Sequence, residues 1–173
     1  RIDSLKHLLY PNMNDDERFL LYNAIYEEYY TYRFDSAIYY VDREEEVAMK
    51  LSNPTYRNLS IIHRSILLAT SGYFSESIQN LEQIDSRTLD NALRIEYYTA
   101  YEWAYSMWAE YSNDNIYAPR YYEKEMLYQD SLISVIKKRW KDYRSMSACL
   151  LWQLTDWHWC THEPTTGKNM RII

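Results

Sequence analysis

Glycine is nearly absent from this chain: Gly72 and Gly167 are the only two in 173 residues. Phosphate-cradling loops, dinucleotide-binding turns and nucleophile elbows need several glycines at fixed spacing, so none can be written here. Four prolines and two glycines are also too few for the many tight connections of a β sandwich. The two cysteines, Cys149 and Cys160, both come late, build no disulfide framework and leave the redox compartment open. No apolar run approaches the roughly 20 residues that span a bilayer. Ile66-Leu67-Leu68-Ala69, for example, is of core size. Basic charge is short as well. Nineteen Lys and Arg against 25 Asp and Glu leave a net charge of -6, whereas a general nucleic-acid binder carries a basic face. No direct nucleic-acid contact is expected. No signal peptide is visible, and the opening Arg1-Ile2-Asp3 without Met suits a processed form or an excised fragment.

What the chain does have is tyrosine, 20 of them with 6 Trp, set on helical periodicity. Asn14 caps a helix that opens Asp15-Asp16-Glu17, and Phe19, Tyr22, Tyr26, Tyr29 and Arg33 recur along it at three- and four-residue spacing. Asp35-Ser36 restarts the pattern through Ala37, Ile38, Val41, Val47, Ala48 and Leu51, with Glu44-Glu45-Glu46 expected on a solvated face. Asn53-Pro54 opens the next helix, which ends at Ser71-Gly72, where glycine supplies a left-handed closing residue. Ser77, Ile78, Leu81 and Ile84 form a short returning helix. A long aromatic helix then runs through Tyr97, Tyr98, Tyr101, Trp103, Tyr105, Trp108 and Tyr111. Asn113-Asp114-Asn115 breaks it, and a last helix spans about Tyr117 to Lys138. No strand is expected.

Pro11 and Pro54 lie 43 residues apart, Pro119 and Pro164 45 apart, and between such marks the chain goes helix, turn, helix. A period of this size means stacked hairpins, because one hairpin cannot bury its apolar face alone. The unit from Asn58 to Leu89 resembles a tetratricopeptide repeat, with Ser65 and Ser77 where that pattern prefers a small residue mid-helix. Ala37 takes the equivalent place in the first unit. The expected fold is therefore all-α, a right-handed stack of antiparallel helical hairpins over residues 1–145.

Arg1-Ile2-Asp3-Ser4-Leu5-Lys6, Asp35-Ser36-Ala37, Ser71-Gly72-Tyr73-Phe74 and Tyr128-Gln129-Asp130-Ser131 together resemble the tetratricopeptide-type regulators of Bacteroidetes. In that family an extracytoplasmic helical-repeat sensor precedes a membrane helix and a cytoplasmic helix-turn-helix DNA-binding domain. The resemblance implies a periplasmic or membrane-tethered domain, with a cytoplasmic location as the alternative. It implies signalling through a protein or peptide partner, and it carries over no catalytic residue and no cofactor. Any membrane contact would come through other parts of a parent chain.

Residues 146–173 differ in composition: Trp152, Trp157, Trp159, both cysteines, His158 and His162 crowd together there. His158, Cys160, His162 and Cys149 are zinc-ligand types. An alternating His-x-Cys-x-His places ligands on one face only in an extended chain, so no metal site is assigned. A frameshift accounts for the tail better. Read from the third base of each codon, Asp156 to Cys160 encode Leu-Ala-Leu-Val whatever synonymous codons are used, which is a repeat-helix sequence. The tail is thus expected to be aberrant and out of frame. A stack ending in such a tail would leave its last helix uncapped, which favours self-association.

No enzyme can be assembled from what remains. His7 and His63 are isolated in sequence, Asp35-Ser36 and Asp130-Ser131 suit helix starts, and Lys137, Lys138, Arg139, Lys141 and Arg144 suit a helix C-terminus. Tyrosine supplies a rigid ring with a polar tip, fit for packing and for recognition. By the tetratricopeptide resemblance, first helices of successive hairpins line a concave groove. Tyr22, Tyr26, Tyr29, Leu59, Ile62, Ile66 and Tyr105 would face it. Such a groove suits an extended peptide or a partner helix, and as an alternative a small ligand such as a glycan stacked on the rings.

Overall fold

The computed structural model describes residues 1–142. Among these the chain forms seven α-helices and one 3-10 turn, and no strand. They are α1 (Ile2–His7), α2 (Asp15–Tyr29), α3 (Phe34–Leu51), α4 (Pro54–Thr70), α5 (Phe74–Leu81), α6 (Asn91–Ser112) and α7 (Ala118–Asp142), with the 3-10 turn at Ser86–Thr88. Residues Arg1–Lys138 form one compact unit. Successive helices pair as hairpins, and α4 packs against α3, α5 and α6. The result is the all-α helical-repeat solenoid that the periodicity requires.

Local chemistry sets most boundaries. The Asn14 side chain accepts from the Asp16 backbone N–H at 3.1 Å, and Asn53 accepts from Thr55 and Tyr56 at 3.0 and 3.2 Å ahead of Pro54. Asp90 caps α6 through Leu93, while Asp114 accepts from Ile116 and Tyr117 before α7. Gly72 sits at φ +86°. Its N–H reaches the Ala69 carbonyl, and the Tyr73 N–H reaches the Leu68 carbonyl, so both orphaned carbonyls at the end of α4 are satisfied. The α3 start differs from expectation: Arg33 occupies the cap position with no side-chain bond, and Asp35 lies inside the first turn.

The small-residue positions explain the close approach of α4 and α5. Ser65 and Ser77 are both fully buried. The Ser77 hydroxyl donates to the Ser65 carbonyl at 2.8 Å, and the Ser65 hydroxyl donates to the Ile61 carbonyl at 2.8 Å. Serine therefore substitutes for glycine or alanine here because each hydroxyl finds a carbonyl within reach. Around this contact one core joins Ile61, Ile62 and Ala69 of α4, Ile78 and Leu81 of α5, and Leu93, Tyr97, Ala100, Tyr101 and Ala104 of α6. A second joins α2 and α3 through Leu21, Ile25, Tyr26, Ala37 and Val41.

Candidate functional site

The first helices of the hairpins, α2, α4 and α6, come together on one side of the stack. Large rings join α2 to α4. Phe19 stacks on Tyr56 with centroids 3.9 Å apart, and Tyr26 stacks on His63 at 4.1 Å. Tyr30, one turn beyond Tyr26, stacks on it in turn at 5.6 Å. Between α4 and α6 the Trp103 indole N–H points at the Thr70 hydroxyl at 3.4 Å. Leu59 and Ile66 of α4 stay partly open while packing against the α4–α6 core.

Beneath the Tyr26–His63 stack lies a buried polar pair. His63 Nδ1 is 2.9 Å from Glu44 Oε2, and Glu44 is completely buried. The acidic run of α3 was expected on a solvated face. Instead Glu44 turns inward to His63, and Glu45 pairs with Arg64 at 2.7 Å. The reason is the helical spacing: Glu44 shares the inward face of α3 with Ala37, Val41 and Ala48. Its second oxygen, Oε1, has no hydrogen-bond partner among the described residues. Burial pushes the Glu44 carboxyl above the usual range, and the bond to His63 pulls the other way.

Charge then accumulates toward the surface. Loss of hydration raises the Glu27 carboxyl; His63 opposes, whereas Glu96, Glu44 and Glu28 add to the rise. The Tyr26 hydroxyl is pushed far up, by burial first and then by Glu27, Glu44, Tyr30 and Glu96. Glu27 of α2 thus lies within electrostatic reach of His63 of α4 and Glu96 of α6. This face is acidic at its rim and aromatic at its floor.

The residues expected in the groove divide between this face and the interior. Ile62 is 0% and Tyr26 2% exposed, so their apolar surface is spent on packing. Tyr29 is buried too, accepting from Lys6 Nζ at 2.9 Å, and Tyr22 leans toward Tyr40 of α3 at 5.9 Å. Tyr105 turns toward α7, stacking on Tyr128 at 5.7 Å. Leu59 and Ile66 alone of that set combine partial exposure with a place on α4 between the neighbouring first helices. Residue-by-residue periodicity missed Glu27, His63, Glu96 and Trp103. The spacing Glu96, Thr99, Trp103 held a signal, since it is one helical stripe.

Among the described residues no group of three or more His, Cys, Asp or Glu side chains has metal-binding geometry. The candidate ligands Cys149, His158, Cys160 and His162 lie outside them. No helix of the described residues is long and apolar enough to cross a membrane. No curated protein and no solved structure matches the chain. One family model does, over residues 1–159. Repeat domains of this type are generally non-catalytic, and the match brings a protein-interaction or sensor role with it. With its hairpin stack, its Ser65–Ser77 contact and this match, the chain belongs to the family of SusR N-terminal TPR domains.

Proposed function

We propose that this domain recognises a protein or peptide segment without catalysing a reaction, as the extracytoplasmic sensor or scaffold part of a membrane-tethered transcription regulator. The observation that carries this reading is the face shared by α2, α4 and α6. There Tyr26 stacks on His63, Glu27 lies within electrostatic reach of His63 and Glu96, and Leu59, Ile66 and Trp103 pack partly open on the α4–α6 core. Partly open apolar side chains supply contact area, and the two carboxylates supply a preference for a segment bearing Lys or Arg. Tyr26 and Ile62 support that face from within, and the stack of Tyr26 on His63 fixes the α4 side of it, while Tyr22 and Tyr29 brace α2 against α3 and Tyr105 braces α6 against α7.

The test is fluorescence anisotropy with labelled extended peptides, half of them carrying two or three Lys or Arg and half neutral. The reading expects saturable binding of the basic set, weakened about tenfold by the double change Glu27→Gln and Glu96→Gln. Equal binding of both peptide sets, or no effect of the double change, would overturn it. The half-open Trp103 and Tyr30 rings also suit a stacked sugar. Quenching of tryptophan emission by neutral oligosaccharides, with peptides inert, would transfer the face to that ligand class.

A further inference from the structure

The opposite charge collects at another place. A cleft of about 520 Å³ lies between the Ser86–Thr88 turn, the start of α6 and the far half of α7. Ser86, Arg87, Asn91, Arg94 and Tyr98 form one wall, and Ser131, Ser134, Val135 and Lys138 form the other. Asn91, Arg94 and Tyr98 fall on one stripe of α6, and Ser131, Ser134, Val135 and Lys138 on one stripe of α7. Three cations and five neutral hydrogen-bonding side chains face this space, and no carboxylate lines it among the described residues. In a chain with a net charge of -6 this is a local reversal of sign.

Arg94 is held ready rather than neutralised. Its Nε donates to the Ser86 carbonyl at 3.1 Å and a terminal nitrogen donates to the Leu89 carbonyl at 2.6 Å. Both partners are uncharged, so the guanidinium keeps its full charge while its orientation is fixed. Arg87 differs, because it already pairs with Asp85 at 2.8 Å. Lys138 closes the other wall and has no carboxylate partner among the described residues. Fixed cations with hydroxyls around them complement an oxyanion, whose oxygens accept several charge-assisted hydrogen bonds at once. The volume falls within the usual range for a small-molecule site.

We propose that this cleft binds a small polyhydroxylated molecule bearing an oxyanion, either a phosphate or a carboxylate, of about the size of a hexose derivative. Arg94 and Lys138 hold the anionic group. Ser86, Asn91, Tyr98, Ser131 and Ser134 serve the hydroxyls. The site is independent of the α2–α4–α6 face, whose carboxylates repel such a ligand.

Calorimetric titration of the whole chain with glucose 6-phosphate, glucuronate, inorganic phosphate and glucose tests this. Saturable binding of glucose 6-phosphate or glucuronate is expected, stronger than that of inorganic phosphate and absent for glucose. The ratio of the first two tells phosphate from carboxylate. Ser134→Asp and Lys138→Glu each put negative charge into the cleft at exposed positions and should weaken binding about tenfold or more, with an unchanged circular dichroism spectrum. Binding that also weakens steeply with added salt supports the ionic contact. No saturable binding of either organic anion by the unaltered chain, equal binding of glucose, or indifference to both substitutions would overturn the proposal.

Discussion

The joint between α2 and α4 and the joint between α6 and α7 use the same device for different ends. Both are closed by stacked rings. At the first, Phe19 lies on Tyr56 and Tyr26 on His63; at the second, Tyr101 lies on Tyr128 with centroids 4.2 Å apart and Trp108 on Tyr121 at 4.3 Å. The second joint is aromatic throughout, with Phe74 of α5 added at 5.8 Å from Trp108. The first sets one imidazole, that of His63, against the buried carboxylate of Glu44. Ring stacking therefore supplies the adhesion between helices in both places, while a titratable partner adds pH sensitivity only at the first.

The largest effect is expected at the all-aromatic joint. Tyr101 is 3% exposed and touches Tyr97, Tyr105 and Tyr128, so Tyr101→Ala should cost about 3–5 kcal/mol in urea unfolding. That loss should be the same at pH 5 and pH 8, because the phenols of this ladder stay protonated throughout. Burial and neighbouring tyrosines push Tyr128 up to about 12. A strongly pH-dependent loss would erase the contrast between the joints.

At the other joint, Glu44→Ala removes the partner of buried His63 and should cost about 1–3 kcal/mol. Glu44→Gln sharpens the comparison. Because the folded-state pKa of Glu44 is raised above its unfolded value, the native carboxyl favours folding most when protonated. Its contribution then declines as pH rises from the ordinary carboxyl value through the raised one. The stability of the Gln variant relative to the native chain should therefore increase with pH across that window and level off above it. A constant difference from pH 4 to pH 8 would show that Glu44 does not titrate differently in the two states.

Smaller effects test the turns. Gly72→Ala places a side chain at φ +86° and should cost about 1 kcal/mol. Nothing lies within 4 Å of the added Cβ, so thermal unfolding would report backbone strain alone. Arg87→Ala removes a fully exposed ion pair with Asp85 and should leave the unfolding midpoint unchanged. A clear drop there would mean that the Ser86–Thr88 turn depends on the pair.

Much of this architecture was legible because it is written locally. Asn14, Asn53 and Gly72 bound their helices through bonds that reach only a few residues, so the sequence carries both partners. Candidate site residues were harder. Tyr22, Tyr26 and Tyr29 look alike on a helical wheel, yet Tyr22 and Tyr29 pack toward Tyr40 of α3 while Tyr26 packs on His63 of α4. Which side of α2 meets α3 and which meets α4 depends on helices 20 to 40 residues away, and no local pattern encodes it. The same applies to Glu44, whose acidic neighbours disguise it as part of a solvated run.

The sequence by itself determined the helical class, the positions of the turns and the tyrosine-rich character of the surfaces between helices. It could do so because capping, glycine handedness and apolar periodicity act over one or two turns. Only the tertiary structure decided that His63 and Glu44 form a buried pair, that Glu27 comes within electrostatic reach of Glu96, and that Arg94 and Lys138 face one cleft. Those meetings join residues from separate helices, and their energies depend on burial and distance, which exist only once the helices are stacked.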